Sequence, residues 1–429
     1  MQEIKNGKKR SHWMWYIFRM GVKEMVYTEQ NLVRIAKREN NPKRKYLVVN
    51  RLQGKHIPVK PSEAIALFRA LADTLRSSYK GETLLVIGFA ETATAIGAAV
   101  AAELGTDYIQ TTRELVPDVE ELYFSEEHSH ATEQKLVKND LDTAVKTIDR
   151  ILFVEDEVTT GKTILNIIDI LRKEYPKHIK FSVASILNGM DKAALANYER
   201  SGIELFWLVK TDHTPYTGIA ESYAGDGIYV DCRSSIVTDH TAMERAVMDG
   251  KKALLAKDAS ACKCAEVQMT IDATKQLDLK MINVWKQMNA RRTVKAAAYQ
   301  QYCESLYEDM ISQMDISSTQ KILVLGTEEF MYPALYTASK LEALGKRVWF
   351  HATTRSPIAV SAEQDYALHT RYELVSLYDN RRKTYVYNLQ KYDTIVIMTD
   401  AQGETTEGIC SLIQALLCSG NDHIIFVFS

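Results

Sequence analysis

The chain has 429 residues, a formal net charge of −2 and 25% charged residues. That length predicts more than one domain, each able to bury its own core, and the balanced charge leaves no basic footprint for nucleic acid. No apolar run approaches the roughly 20 residues of a membrane span, so no membrane partner is expected. The six cysteines form no paired Cys-x-x-Cys set, and Cys262-Lys-Cys264 alone is too little for a zinc site. Reduced thiols in a cytoplasm are the expectation.

The first residues stand apart. Trp13, Trp15, Tyr16, Ile17 and Phe18 are apolar, but the run is too short and too aromatic for a signal peptide. Residues 8–18 are similar to the start of an unrelated small bacterial family of unknown function, and the similarity is read as stopping after Phe18. Residues 1–26 are therefore expected to be an N-terminal extension, either a fusion remnant or a helix docked on the core.

From Tyr27 the pattern is α/β. Asn31–Arg38 is expected as a helix and Tyr46–Asn50 as a strand. A polar turn, Gln53–Pro58, follows; it either caps a site and helps choose the base or is a tight turn without a role. Pro61 opens a helix that buries Ala64, Leu67, Leu71 and Leu75 at helical spacing. Leu84–Ile87 reads as a buried strand ending at Gly88. The loop Gly88-Phe89-Ala90-Glu91-Thr92 then leads into a helix of small residues, Ala95–Leu104, and glycine lets a backbone approach an anion closely. Tyr108–Arg113 is the next strand and its exit. Arg113 is thereby placed at a strand's carboxyl end, where a guanidinium suits diphosphate oxygens or a surface ion pair. Glu114–Asn139 breaks the alternation, as a functional loop or lid does, or a solvated polar hairpin. It contains His128 and His130, which with Glu126 make no full metal set.

The most informative stretch is Arg150–Ile164. Ile151, Leu152, Phe153 and Val154 form a short apolar run, as a fully buried strand would. Glu155 and Asp156 follow where that strand is expected to end. Then come Thr159, Thr160, Gly161, Lys162 and Thr163, and an apolar helical pattern. Ligands of open α/β sheets bind at the carboxyl ends of the strands, and a helix N-terminus presents free N–H groups to an anion. Acids for hydroxyls or a metal therefore stand beside donors for a phosphate, which suits a sugar phosphate. Gly161-Lys162-Thr163 is not a nucleotide P-loop, because the Gly needed five residues earlier is Asp156.

Phe181–Leu187 and Ile203–Val209 read as further strands around the helix Asp191–Arg200, and Thr241–Met314 reads as mainly helical. The strand motifs then recur in order. Leu84–Gly88 is echoed by Ile322–Gly326, Thr111–Arg113 by Thr353–Arg355, and Ile151–Asp156 by Ile395–Asp400. That is the pattern of an internal duplication, or of two Rossmann-like units converging on similar strands. In the second copy Thr399 replaces Glu155, and the acids Glu404 and Glu407 stand where the phosphate turn would be, opposing a phosphate. Gly326 and Arg355 are the expected ligand contacts of that copy.

The order of apolar strand, Glu155-Asp156 and Thr160-Gly161-x-Thr163 resembles the phosphoribosyl-diphosphate (PRPP) signature of type I phosphoribosyltransferases. Thr354-Arg355-Ser356-Pro357 resembles the marker of the TRSP-motif domain, which follows an orotate-phosphoribosyltransferase-like domain in a bacterial tellurite-resistance and stress gene-cluster family. The resemblance implies a type I phosphoribosyltransferase-like, Rossmann-type parallel sheet plus a second, related α/β domain. The expected boundaries are residues 27–240 for the first, 241–316 for a helical connector and 317–429 for the TRSP-type domain. It implies a phosphoribosyltransferase that displaces diphosphate from ribose C1, with PRPP and an unknown base-like acceptor as substrates and Mg²⁺ as cofactor. Glu155 and Asp156 would hold ribose hydroxyls and the metal. Thr159, Thr160, Gly161, Lys162 and Thr163 would hold the 5′-phosphate. Gly88, Phe89, Ala90, Glu91 and Thr92, with Arg113, would take the diphosphate. His128 and His130 would act from a mobile loop. A homodimer and protein partners from the same stress clusters fit the resemblance. The alternative is a PRPP- or nucleotide-sensing regulator or partner-binding protein without turnover.

Overall fold

The computed structural model describes residues 26–39, 41, 44–124, 134–233, 240–255, 263–272, 275–284, 287–315, 321–401 and 406–429. The strands are, in the first half, β1 (Val33–Lys37), β2 (Tyr46–Asn50), β3 (Leu84–Gly88), β4 (Asp107–Gln110), β5 (Glu121–Phe124), β6 (Gln134–Val137), β7 (Arg150–Val158), β8 (Lys180–Asn188) and β9 (Glu204–Lys210). The remainder holds β10 (Ile228–Asp231), β11 (Lys263–Asp272), β12 (Lys275–Asn283), β13 (Val294–Lys295), β14 (Lys321–Gly326), β15 (Arg347–Ala352), β16 (Thr370–Val375), β17 (Lys383–Tyr387), β18 (Thr394–Thr399) and β19 (His423–Phe428).

Two six-stranded sheets organise the chain, in the orders β13-β4-β3-β7-β8-β9 and β11-β12-β19-β18-β14-β15. Their central strands are parallel, and only β13 and β11 at the edges run antiparallel to their neighbours. A parallel strand covered on both faces must be apolar throughout. Accordingly β3 and β18 are buried at every residue. The helix Pro61–Arg76 closes one face of the first sheet through Leu67, Phe68, Leu71 and Leu75. Each such Leu contributes about 1.5–3 kcal/mol by leaving water. The helix Thr94–Leu104 is built of small residues because it lies on β3 itself. A Cβ on Gly97 would stand 2.8 Å from the Gly88 Cα.

The expected α/β alternation is present in both halves, with three differences. Asn31–Arg38 is not a helix. A single turn, Glu29–Leu32, gives way to β1, which pairs antiparallel with β2 from Val33↔Asn50 to Lys37↔Tyr46. Val33 and Ile35 alternate with Arg34 on a half-buried ribbon, so period two outcompetes the helical reading. The stretch read as mainly helical does hold the helices His240–Leu255 and Ala296–Ser312, but between them β11 and β12 extend the second sheet. In β12, Leu277, Leu279 and Met281 are buried at alternate positions. The third difference lies between the halves. Val59 bridges Phe350 on β15, and β13 pairs Val294 with Tyr108 on β4, so each half places its entering segment on the other half's edge strand. The helix Pro61–Arg76 packs on Tyr332–Ala343, and Ala296–Ser312 packs on Thr94–Leu104. One apolar cluster therefore contains Phe68 and Ile96 together with Leu306, Leu335 and Val348.

Candidate functional site

The apolar run of β7 was expected to end at Val154. The strand continues to Val158, because β8 is equally long and keeps pairing with it at Glu155↔Ser185 and Glu157↔Leu187. On the other side β3 stops at Gly88↔Val154. Glu155 and Asp156 thus lie just past the end of one neighbour, where the chain leaving β3 folds across them. Phe89 N donates to Val154 O at 3.1 Å and Ala90 N to Thr111 Oγ1 at 2.7 Å. Gln53 Nε2 donates to Thr92 O at 2.7 Å, which ties the Gln53–Pro58 turn to this loop. The Ala90–Glu91 peptide is cis. Thr92 Oγ1 donates to Asp156 Oδ1 at 2.9 Å, and Asp156 N to Glu155 Oε2 at 2.9 Å. Burial raises the Asp156 carboxyl above its ordinary range; the hydrogen bonds from Glu155 and Thr92 oppose that rise without cancelling it, and neighbouring Glu157 adds to it.

After β7, Thr159 and Thr160 lead to Gly161, whose φ of 70° opens the helix Lys162–Glu174. The left-handed conformation favours glycine, and space demands it too. A Cβ there would lie 2.5 Å from both Met190 Cε and Tyr198 Oη. Tyr198 Oη donates to Gly161 O at 2.6 Å and fixes the turn from beneath. Lys162 and Thr160 are exposed, so the helix N-terminus, where Lys162 N donates to Thr160 Oγ1 at 3.4 Å, opens outward beside the acids. Glu157 points elsewhere. It meets Arg44 Nη2 at 2.7 Å and His213 Nε2 at 3.3 Å, and His213 stacks on Tyr216 at 4.6 Å. Burial holds the His213 pKa down despite Glu157.

The loop glutamate, Glu91, is buried in ion pairs with Lys55 and with Arg355 of the second half, the latter at 3.2 Å. Burial alone would raise its pKa, but these two cations hold it below the ordinary range. Arg113 lies half-buried at the exit of β4, and its backbone N–H donates to Glu329 Oε1 at 3.0 Å. Glu329 also accepts from Thr112 Oγ1 at 2.7 Å and Arg291 Nε at 2.9 Å. Burial pushes Glu329 up, yet Arg291 and Arg355 bring it down to about 2. Arg291 Nη1 meets Asp400 Oδ2 at 2.5 Å, and Tyr378 Oη donates to Asp400 Oδ1 at 2.6 Å. Glu114 pairs with Arg355 and with Arg382, the latter at 2.8 Å. Arg355 is therefore not a free contact of the second crevice, as the sequence led us to expect, but is enclosed by acids from both halves.

His128, His130 and Glu126 fall outside the described residues, as do Gln402, Gly403 and Glu404. The hairpin of β5 and β6, Glu121↔Val137 to Phe124↔Gln134, is described on either side of the histidines. Among the described residues no three His, Cys, Asp or Glu side chains are grouped to hold a metal, and no helix is long and apolar enough to cross a membrane. Glu155 and Asp156 nevertheless fit Mg²⁺, a hard cation that keeps waters and is commonly held by one or two carboxylates plus substrate oxygens. Sequence reasoning missed Lys55, Glu114, Arg291 and Arg382. It placed Glu328 and Glu329 in the loop Gly326-Thr-Glu-Glu-Phe330, matching Gly88–Thr92 in the same crevice, but gave them no role.

These features define a parallel α/β domain with an acid pair and a glycine turn at one strand exit, joined to a second α/β unit. Residues 32–211 match the model of a family described as phosphoribosyl transferase, and residues 288–416 match the TRSP domain that lies C-terminal to that transferase domain. Residues 32–211 are thus similar to that transferase domain and residues 288–416 to its TRSP companion. Residues 1–54 match a family of unknown function, which reaches well past Phe18 and overlaps the transferase match. Similar solved structures include the adenine phosphoribosyltransferase of Rhodothermus marinus (15% identity, TM-score 0.31, 42% of this chain and 96% of that one). The enzyme of Trypanosoma brucei, in complex with AMP, pyrophosphate and ribose-5-phosphate, gives 16%, 0.30, 42% and 76%. That of Giardia lamblia, complexed with 9-deazaadenine, gives 20%, 0.30, 43% and 96%. No curated protein matches the chain.

Proposed function

We propose that the protein is a PRPP-dependent phosphoribosyltransferase that breaks the C1–diphosphate bond of PRPP and forms a C1–nitrogen bond to a base-like acceptor. The observation that carries this reading is the acid pair on β7. Glu155 and Asp156 lie past the end of β3, with the Gly88–Thr92 loop hydrogen-bonded across to Asp156 on one side and the Gly161 turn on the other. Their carboxylates would accept the 2′- and 3′-hydroxyls and stabilise positive charge developing on the ribosyl group in the transition state. The N–H groups of Thr159–Thr163 would hold the 5′-phosphate, where a helix N-terminus favours an anion. The Gly88–Thr92 backbone and Arg113 would take the diphosphate. Mg²⁺, held by Glu155 and Asp156, would supply charge neutralisation on the leaving group.

The test is diphosphate release from PRPP and Mg²⁺ in the presence of purine bases, pyrimidine bases or a cell extract, with products read by mass spectrometry. A product heavier than its acceptor by a phosphoribosyl group is expected. PRPP binding without diphosphate release under all these conditions would replace the enzyme by a PRPP sensor.

A further inference from the structure

The two halves meet through reciprocal contacts. At equivalent strand exits, Ala90 N donates to Thr111 Oγ1 at 2.7 Å, and Glu328 N donates to Thr353 Oγ1 at 2.9 Å. Thr112 bridges Lys135 on the β5–β6 hairpin, and Thr354 bridges Tyr385 on the β16–β17 hairpin. Across the interface, Arg113 N donates to Glu329 at 3.0 Å, and Arg355 N donates to Glu91 at 3.3 Å. Val59 bridges Phe350 and Val294 pairs with Tyr108. Each half thus presents the same surface to the other, as two subunits of a symmetric dimer do.

The reciprocity breaks at the side chains. The second half's loop carries two acids, Glu328 and Glu329, and both reach Arg355: its Nε lies 2.7 Å from Glu328 Oε2 and its Nη2 3.2 Å from Glu329 Oε1. Ser376 Oγ donates to Glu328 Oε1 at 2.5 Å and holds that carboxylate in place. The residues after Arg355 are stitched to the first half, with Pro357 O accepting from Glu39 N at 3.2 Å and Ala359 N donating to Lys37 O at 2.9 Å. The Thr-Arg-Ser-Pro segment is thus an interface element whose guanidinium is aimed at the neighbouring half's loop.

We infer that the C-terminal half is a built-in partner subunit for the phosphoribosyl site, and that Arg355 is a positioning residue which neutralises and orients Glu91 so that the Gly88–Thr92 loop accepts diphosphate. This rests on the reading of that loop as the diphosphate site. A carboxylate in such a loop would repel diphosphate if it stood alone. Lys55 and Arg355 together cancel that charge, and only Arg355 comes from the TRSP half. The second half's loop binds no anion in this scheme, because its two acids serve to hold the arginine.

Calorimetric titration of the full chain with PRPP and Mg²⁺ tests this, using wild type, Arg355→Met, Arg355→Lys and the double variant Glu91→Gln/Arg355→Met. Arg355→Met is expected to bind about tenfold more weakly, which is about 1.4 kcal/mol. Arg355→Lys should bind between the two. The double variant should regain most of the loss, because the uncompensated carboxylate is gone; a merely structural arginine would not be rescued this way. Wild-type affinity in folded Arg355→Met, or no gain in the folded double variant, overturns the inference and leaves the proposed function standing. Should Arg355→Met fail to fold, wild-type affinity in Arg355→Lys combined with no change in Glu91→Gln alone overturns it equally. A wild-type protein that gives no heat with PRPP overturns the proposed function and this inference with it.

Discussion

In the first half the strands β4-β3-β7-β8 stand side by side in parallel, and in the second β15-β14-β18-β19 repeat that order and direction. The backbone joints repeat too. Thr111 N donates to Gly88 O at 2.9 Å, and Thr353 N to Gly326 O at 3.0 Å. What differs is the use made of one acid. Asp156 is held by a neutral threonine hydroxyl, with the N-terminus of the helix Lys162–Glu174 following it. Its counterpart Asp400 is locked between Arg291 and Tyr378. A strand exit in this topology can therefore either stay open or be closed by the protein's own cations, and side chains brought from distant parts of the chain decide which.

The comparison predicts opposite consequences for the two acids. Glu155→Gln with Asp156→Asn is expected to lower PRPP turnover by at least roughly 10²–10³-fold, as loss of transition-state charge stabilisation does. Burial raises the Asp156 carboxyl, so its neutralisation relieves a desolvated charge and the melting temperature should hold or rise. Asp400→Asn should do the reverse. Removing one partner of a buried pair costs about 3–5 kcal/mol, so stability falls steeply, and any loss of activity should follow the folded fraction. Denaturant melts beside turnover assays check both. A stable Asp400→Asn protein without activity would mean that the second exit takes part in chemistry.

The ends of this comparison were unequally legible in the sequence. The acid pair, the Gly161 turn and the apolar strands are local patterns, and each appears where its spacing implied. The strand limits of β7 were not local, because only the length of β8 beside it keeps Glu155–Val158 in the ladder. The charges that close the second exit were least visible. Arg291 lies in a segment with no periodic signal, and it finds Glu329 and Asp400 only when Ala296–Ser312 packs across the halves. The β12 alternation of Leu277, Leu279 and Met281 was in plain view and was outweighed by the helical pattern around it.

A smaller effect is expected at the turn that distinguishes the open exit. Gly161→Ala forces a side chain into a left-handed conformation, which costs about 1–2 kcal/mol. The new Cβ also meets Met190 Cε and Tyr198 Oη at 2.5 Å. Stability should fall modestly and PRPP affinity more, because the proposed 5′-phosphate donors shift with the turn. An unchanged affinity would detach this turn from the site.

The interface itself should carry a pH signature. Burial pushes Glu114 up to about 7, with Arg355 and Arg382 opposing that rise and Glu328 and Glu329 adding to it. A carboxyl whose folded pKa exceeds its unfolded value, near 4.3, favours the folded state most in acid. Its contribution declines as pH rises through that window and is gone above about pH 7. Melting temperatures of wild type and Glu114→Gln should therefore differ in slope between about pH 5 and 7, the variant being flatter. Parallel curves would show that Glu114 does not titrate there.

The smallest expected effect separates the two uses of an acid most finely. Thr92→Val removes the hydroxyl that donates to Asp156 Oδ1 at 2.9 Å and leaves the packing of the loop nearly unchanged. Hydrogen bonds to a charged acceptor contribute about 1.5–3 kcal/mol, and the half-exposed position of Thr92 reduces this to about 1 kcal/mol. That bond favours the ionised carboxyl, so its loss raises the already elevated Asp156 pKa further. Ribose hydroxyls and Mg²⁺ need the carboxylate. PRPP affinity in Thr92→Val should therefore match wild type in mild base and fall below it progressively as the pH is lowered, with the midpoint displaced towards neutrality. Calorimetry across pH 5 to 8 measures the displacement. A uniform loss at every pH would mean that Thr92 shapes the loop and leaves the acid's titration alone, and no loss at any pH would remove Asp156 from ligand binding.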